Sequence, residues 1–191
     1  MRRLLLALVV AGGVLGFYGY QEMRLAEAAK PEAQVLTCDQ LATRGPGENA
    51  HVRLTDFELL DNYIYREGKN GKWATSYVPA VAPRVKDVPT VQNVNVLIKS
   101  NRARDEAALY KLADGPIEGV VINLVAGLGA DEKRLLSESY PTLNFDKCWI
   151  LEAGKTPASH GQVVGMLGGG AGLAVIGLGI LLVGGKKSHE S

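Results

Sequence analysis

The chain of 191 residues is short of the side chains that most often carry chemistry: it has two Cys, three His, two Trp and three Phe. No Cys-x-x-Cys occurs, which excludes the usual dithiol redox motif. No Gly-x-Ser-x-Gly occurs, so the serines lack a nucleophile elbow. The run Gly168–Gly172 is followed by no Lys-Ser/Thr pair and is not a phosphate loop. His51, His160 and His189 show no metal-ligand spacing. Net charge is also missing, since 21 basic against 20 acidic residues leave +1. That balance excludes a basic nucleic-acid-binding surface. The sequence therefore predicts no catalytic residue, no cofactor, no metal and no nucleic-acid partner.

Charge is absent altogether from two stretches. Leu4–Tyr20 holds 13 hydrophobic residues and four Gly, and Thr156–Gly185 contains no Asp, Glu, Lys or Arg. The densest part of the second is Val163–Val183, 21 residues. About 20 apolar residues in a helix cross a bilayer core. Both stretches are expected to be transmembrane helices, at 4–20 and 163–183, with a domain at 21–162 and a tail at 184–191. Arg2, Arg3, Lys186 and Lys187 flank the outer ends, which predicts cytoplasmic termini and an exoplasmic or periplasmic domain, as in a bacterial inner membrane. Phe17, Tyr18 and Tyr20 suit an aromatic belt at the far interface. A cleaved signal peptide is the other reading of the first run, with Ala26-Glu27-Ala28 as a small-x-small site. Neither span, 4–20 or 163–183, contains Asp, Glu, Lys, Arg or His, which argues against an ion or proton pathway.

Glycine is plentiful where charge is absent, with four Gly in Leu4–Tyr20 and nine in Val163–Gly185. Gly12 and Gly16 form a small-xxx-small step, and Gly161, Gly165 and Gly169 a longer one. Such steps let helix backbones approach, within one chain or between copies. The bland reading is the general abundance of Gly in membrane helices. The expected partners are thus the lipid bilayer and a protein, or a second copy met through the helices.

Residues 21–162 have 17 basic and 19 acidic residues and an ordinary apolar content, enough for one core. Gln34–Thr37, His51–Phe57, Asn62–Arg66, Trp73–Val78, Val91–Ser100, Ile117–Leu124 and Cys148–Ala153 read as strands. Asn70-Gly71 suits a hairpin turn, and Pro79, Pro83 and Pro89 suggest an irregular crossing. Arg104–Ala113 and Asp131–Ser139 read as helices. This pattern predicts an α+β domain with an antiparallel-rich sheet and two helices, between two transmembrane helices. Two spans around such a domain resemble the Surf-type oxidase-assembly factors in architecture; no motif is shared and no residue role carries over.

Cys38 and Cys148 stand near the two ends of this domain. In an oxidising compartment they can form a disulfide; otherwise each packs as a small buried thiol. Tyr63, Tyr65, Trp73 and Tyr77 lie on one hairpin, as a partner surface or as core. Asp56, Glu58 and Asp61, and Asp131, Glu132 and Glu138, read first as solvated faces. The expected role is non-catalytic: interaction, complex assembly or structural support at the membrane. The alternative is a membrane-tethered hydrolase or thiol enzyme whose site converges only in the fold.

Overall fold

The computed structural model describes residues 2–69, 71–83, 94–123, 125 and 127–186. Among these described residues it is an α+β fold with five α-helices and one curled mixed sheet. The chain divides into two compact units. One comprises Met1–Glu27 with Ala158–Ser191, and the other Ala28–Pro157.

The first unit holds helix α1 (Arg2–Ala28) and helix α5 (His160–Lys186). They lie side by side, with Gly12 facing Gly170 and Ala174 while Gly19 faces Met166 and Leu167. The numbers rise on one helix as they fall on the other, so the pair is antiparallel. Among the described residues one helix, over His160–Leu178, is long and apolar enough to cross a membrane. The other expected span, Leu4–Tyr20, includes side chains outside the described ones. It forms part of α1, which runs unbroken through Ala26–Ala28.

The second unit is built on eight strands: β1 (Gln34–Thr37), β2 (His51–Thr55), β3 (Glu58–Leu59), β4 (Ile64–Glu67), β5 (Trp73–Val81), β6 (Val96–Ser100), β7 (Ile117–Val121) and β8 (Trp149–Ala153). Their order is β1-β2-β7-β8-β6-β5-β3, with β4 also on β5. Five pairings are antiparallel; β1 with β2 and β6 with β8 are parallel. Side chains alternate along a strand, and residues in register share a face. One face therefore carries Val52, Leu54, Ile117, Val121, Leu151, Ile98, Val96, Val78 and Ala80, all buried. The opposite face carries Arg53, Glu118, Glu152, Lys99, Tyr77 and Arg66. β6 is central, and both Leu97 and its neighbours Val96 and Ile98 are fully buried, so alternation on this strand marks two covered faces rather than one.

Helices α2 (Cys38–Arg44), α3 (Glu106–Tyr110) and α4 (Ala130–Ser139) belong to this unit, one more than the sequence pattern predicts. The extra helix, α2, spans seven residues, too few to show a periodicity. Its readable signal is a capping box, in which Thr37 Oγ1 accepts from Gln40 N and Gln40 Oε1 accepts from Thr37 N. Gly45 ends α2 at φ 68° and rests on the Trp149 ring, where a side chain would collide.

Pro79 corrects a second expectation. It sits within β5 rather than in an irregular crossing. Its carbonyl accepts from Leu60 N at 2.9 Å, on the side of β5 that β3 and β4 share. The nitrogen of an extended residue points the same way as its carbonyl. The missing donor thus falls in the gap between Leu59 and Ile64, where no strand needs it. Pro89 and the start of the expected strand at Val91 lie outside the described residues.

Candidate functional site

The predicted aromatic surface divides in two. Opposite β4, β5 pairs Tyr77 with Ile64, Ser76 with Tyr65, Thr75 with Arg66 and then Trp73 with Glu67, so Ala74 is an extra residue. This bulge turns Trp73 onto the face of Tyr65. Tyr65 stacks on Trp73 at 4.4 Å and 14°, and Tyr63 leans on it at 5.3 Å and 47°. Tyr77 projects from the other face and is buried. Tyr110 donates to Glu106 Oε1 at 3.4 Å, the carboxylate that the Tyr63 phenol also bonds. Desolvation, then the bond to Glu106, raises the Tyr63 phenol above its ordinary range. Desolvation and the charges of Glu106 and Asp61 do the same for Tyr110. Tyr65 is about half exposed, so Tyr63, Tyr65 and Trp73 form an open platform rather than core.

On the face of Tyr77, α4 supplies Glu132, which pairs with Arg66. Burial pushes the Glu132 carboxyl up. Bonds from its own amide, Arg66 and the Gly129 amide outweigh that and hold it below the usual range. Lys99 pairs with Glu152 at 3.1 Å across β6 and β8, and Asn101 donates to the same carboxylate at 2.6 Å. These acids are neutralised and bonded, which suits a structural polar face better than acid–base exchange.

A third polar group holds the start of the domain. Asn49 Oδ1 accepts from Lys30 N at 2.8 Å and His51 N at 3.0 Å, and its Nδ2 donates to Glu32 O at 2.9 Å. His51, at the start of β2, is buried. Its Nδ1 faces the carbonyls of Lys30 and Pro31 at 3.1 and 3.0 Å. Both are acceptors, so that nitrogen carries the hydrogen. Its Nε2 stands 3.4 Å from Glu118 Oε1, and Glu118 is bound on its other oxygen by Arg53 at 2.7 Å. Neither Asn49 nor the Arg53–Glu118 pair is legible as a site in the sequence, because each acts through register or through backbone.

The two cysteines are free and buried. Cys38 follows the C-terminal end of β1, and Cys148 precedes the N-terminal end of β8. These strands run in the same direction with β2 and β7 between them. Three strand spacings amount to about 14 Å. A disulfide requires Cα atoms within about 7 Å. The fold does not bring the pair together. Burial pushes each thiol up to about 12, which leaves essentially no thiolate at neutral pH.

In the helix pair, Gly12 and Gly16 belong to the contact. A Cβ on Gly12 would stand 2.7 Å from Ala174 N, and one on Gly170 would stand 2.7 Å from Gly16 N. Gly169 lies near Leu15, whereas Gly161 and Gly165 face open space. Gly170 and Ala174 complete the contact and are themselves four apart, so the signal was present in the sequence. The three adjacent glycines at 168–170 hide which of them faces the partner helix.

Among the described residues, no group of three or more His, Cys, Asp or Glu is placed to hold a metal ion. Comparison of this chain with models of known protein families, with curated proteins and with solved structures finds no match in any of the three.

Proposed function

We propose that this is a two-span membrane protein, with both termini cytoplasmic, that presents residues 21–162 on the exoplasmic side as a non-catalytic module for interaction, assembly or structural support. One observation carries the reading. The outward faces of α1 and α5 are apolar and bare: Leu6, Val10, Val14, Phe17, Val164, Val175, Ile176 and Leu178 are each at least half exposed. A water-soluble helix pair keeps such a surface covered, whereas lipid tails cover it at no cost. Because α1 packs against α5 through Gly12, Gly16 and Gly170, a bilayer around α5 takes in the apolar part of α1 as well.

The basic residues at the outer ends support the orientation, and the Tyr63–Tyr65–Trp73 platform supports the interaction role. Thiol chemistry, one form of the enzymatic alternative, is disfavoured by the buried, protonated cysteines. Reporter fusions test the topology. A reporter after Ser191 is expected to be active only in the cytoplasm, and one replacing the chain after Thr156 only outside it. An exoplasmic signal at Ser191 would overturn the proposal.

A further inference from the structure

Two carboxylates beside the aromatic stack have no basic partner. The Tyr63 phenol donates to Glu106, and the Tyr110 phenol stands between Glu106 Oε1, at 3.4 Å, and Asp61. Phenols are neutral donors, so they hold these carboxylates in place without cancelling their charge. Among the described residues neither Asp61 nor Glu106 lies within ion-pair distance of a Lys, Arg or His. Glu106 is not spent on its own helix either. The cap of α3 is Asp105, whose Oδ1 accepts from Ala108 N at 2.7 Å. Arg66, next to Tyr65 in the chain, is turned to the other face of the sheet and pairs with Glu132.

The rings supply the other half of a cation site. Tyr65 gives one face to Trp73 and stays half exposed, so its second face meets solvent. The Tyr63 ring leans on Trp73 at 5.3 Å and bonds Glu106 through its phenol, which places the π faces and the charge within one side chain of each other. The face of an aromatic ring is the negative part of its quadrupole and attracts a cation within about 6 Å. Stacked rings edged by carboxylates without cations therefore favour a positive group. A guanidinium meets both features, being planar for stacking and forked for a carboxylate, whereas an ammonium is a compact and strongly hydrated charge. A neutral ligand such as a sugar would use the rings and leave the two charges unmatched.

We infer that this surface docks an arginine-bearing segment of a partner protein, with one guanidinium on the Tyr65–Trp73 stack and a neighbouring basic side chain on Glu106 and Asp61. The inference rests on the interaction role proposed above and names the chemistry of the partner. Trp73 and Trp149 are the only two tryptophans, so labelling with 5-fluorotryptophan gives the full chain two fluorine resonances, assigned with Trp73→Phe. The labelled protein in phosphatidylcholine nanodiscs is titrated with acetyl-Gly-Arg-Gly-Arg-Gly-amide and with its lysine and citrulline counterparts. The arginine peptide is expected to move the Trp73 resonance saturably and to leave that of Trp149 in place. The lysine peptide is expected to bind more weakly, and the uncharged citrulline peptide not at all. Tyr65→Ala and Glu106→Gln, exposed changes whose fold is checked by circular dichroism, are each expected to weaken binding about two- to fivefold, the scale of one exposed cation–π contact or ion pair.

A citrulline peptide that binds as well as the arginine peptide would overturn the inference and leave the interaction role standing. Equal shifts of both resonances, or unchanged affinity in both variants, would overturn it as well. A Trp73 shift with cellotetraose and none with the peptides would reassign the stack to a carbohydrate. Silence toward every probe would overturn the inference and withdraw the platform's support for the interaction role, while the reporter fusions test the topology separately.

Discussion

Asn49 shows how one buried side chain can hold a segment of chain. It takes two backbone donors, Lys30 N and His51 N, and gives one bond to Glu32 O. Truncation leaves those groups without partners in a buried site, which costs about 1–3 kcal/mol for such a loss. Asn49→Ala is expected to destabilise the chain by about that much and to speed amide exchange at Lys30 and His51 selectively; unchanged exchange there would contradict the clamp. Gly119 is a different kind of residue constraint. A Cβ there would collide with the Glu152 carbonyl across β7 and β8. Gly119→Ala is expected to lower stability by about 1–3 kcal/mol in thermal unfolding, as overpacking does. Cys38 and Cys148 have thiols near 12 through burial. Both are expected to resist alkylation at pH 8 until the chain is unfolded, and gel mobility is expected to be the same with and without reductant. Glu132 gives a pH dependence of definite sign. Its carboxyl is held below the ordinary value of 4.5 in the fold. The stability it contributes is present above that value and is lost as pH falls through the lower, folded one. Glu132→Gln is expected to flatten the acid limb of a stability–pH profile, with little change in slope at neutral pH.

At the scale of elements, the helix pair and the strands differ in how openly the sequence displays them. α1 and α5 are long apolar helices, and their contact depends on backbone approach at Gly12 and Gly170. Gly12→Ile or Gly170→Ile is expected to separate the helices, read as loss of a disulfide crosslink engineered between them. Gly165→Ile, on open surface, is expected to leave that crosslink intact. If Gly165→Ile instead abolishes crosslinking between copies, the outward glycines serve oligomerisation. Strands β1, β2, β7 and β8 were readable to within a few residues, because β-branched runs bounded by Gly and Pro have few other uses. α2 was not, since a seven-residue helix has barely two turns. β5 also ran further than predicted, because Pro79's lack of a donor falls where β3 and β4 leave a gap. The Trp73 bulge was out of reach as well: pure alternation puts Trp73 with Tyr77, and only the extra residue Ala74 moves it to Tyr65.

For the whole molecule, the apolar faces of α1 and α5 and the ordinary polarity of the domain require different surroundings. Residues 21–162 carry nearly all the charge, and the spans almost none. A cut at Ala28 would remove the helix that packs on Gly170. Intact mass measurement of the membrane-extracted protein is accordingly expected to retain residues 1–28. A mass lacking them would mean that α5 anchors the domain alone.

The sequence by itself determined the α+β class, the two uncharged runs and the asymmetry of the basic residues around them. These depend on composition and on periods of a few residues, which are local properties. The tertiary structure decided which residues act together: Tyr65 with Trp73 but not Tyr77, and Gly12 with Gly170 but not Gly165. It also kept Cys38 and Cys148 apart. Such groupings follow from strand order, register and one bulge, and are set by contacts between residues tens of positions apart. No local pattern records them, because each partner is chosen by the packing of the whole sheet or helix pair.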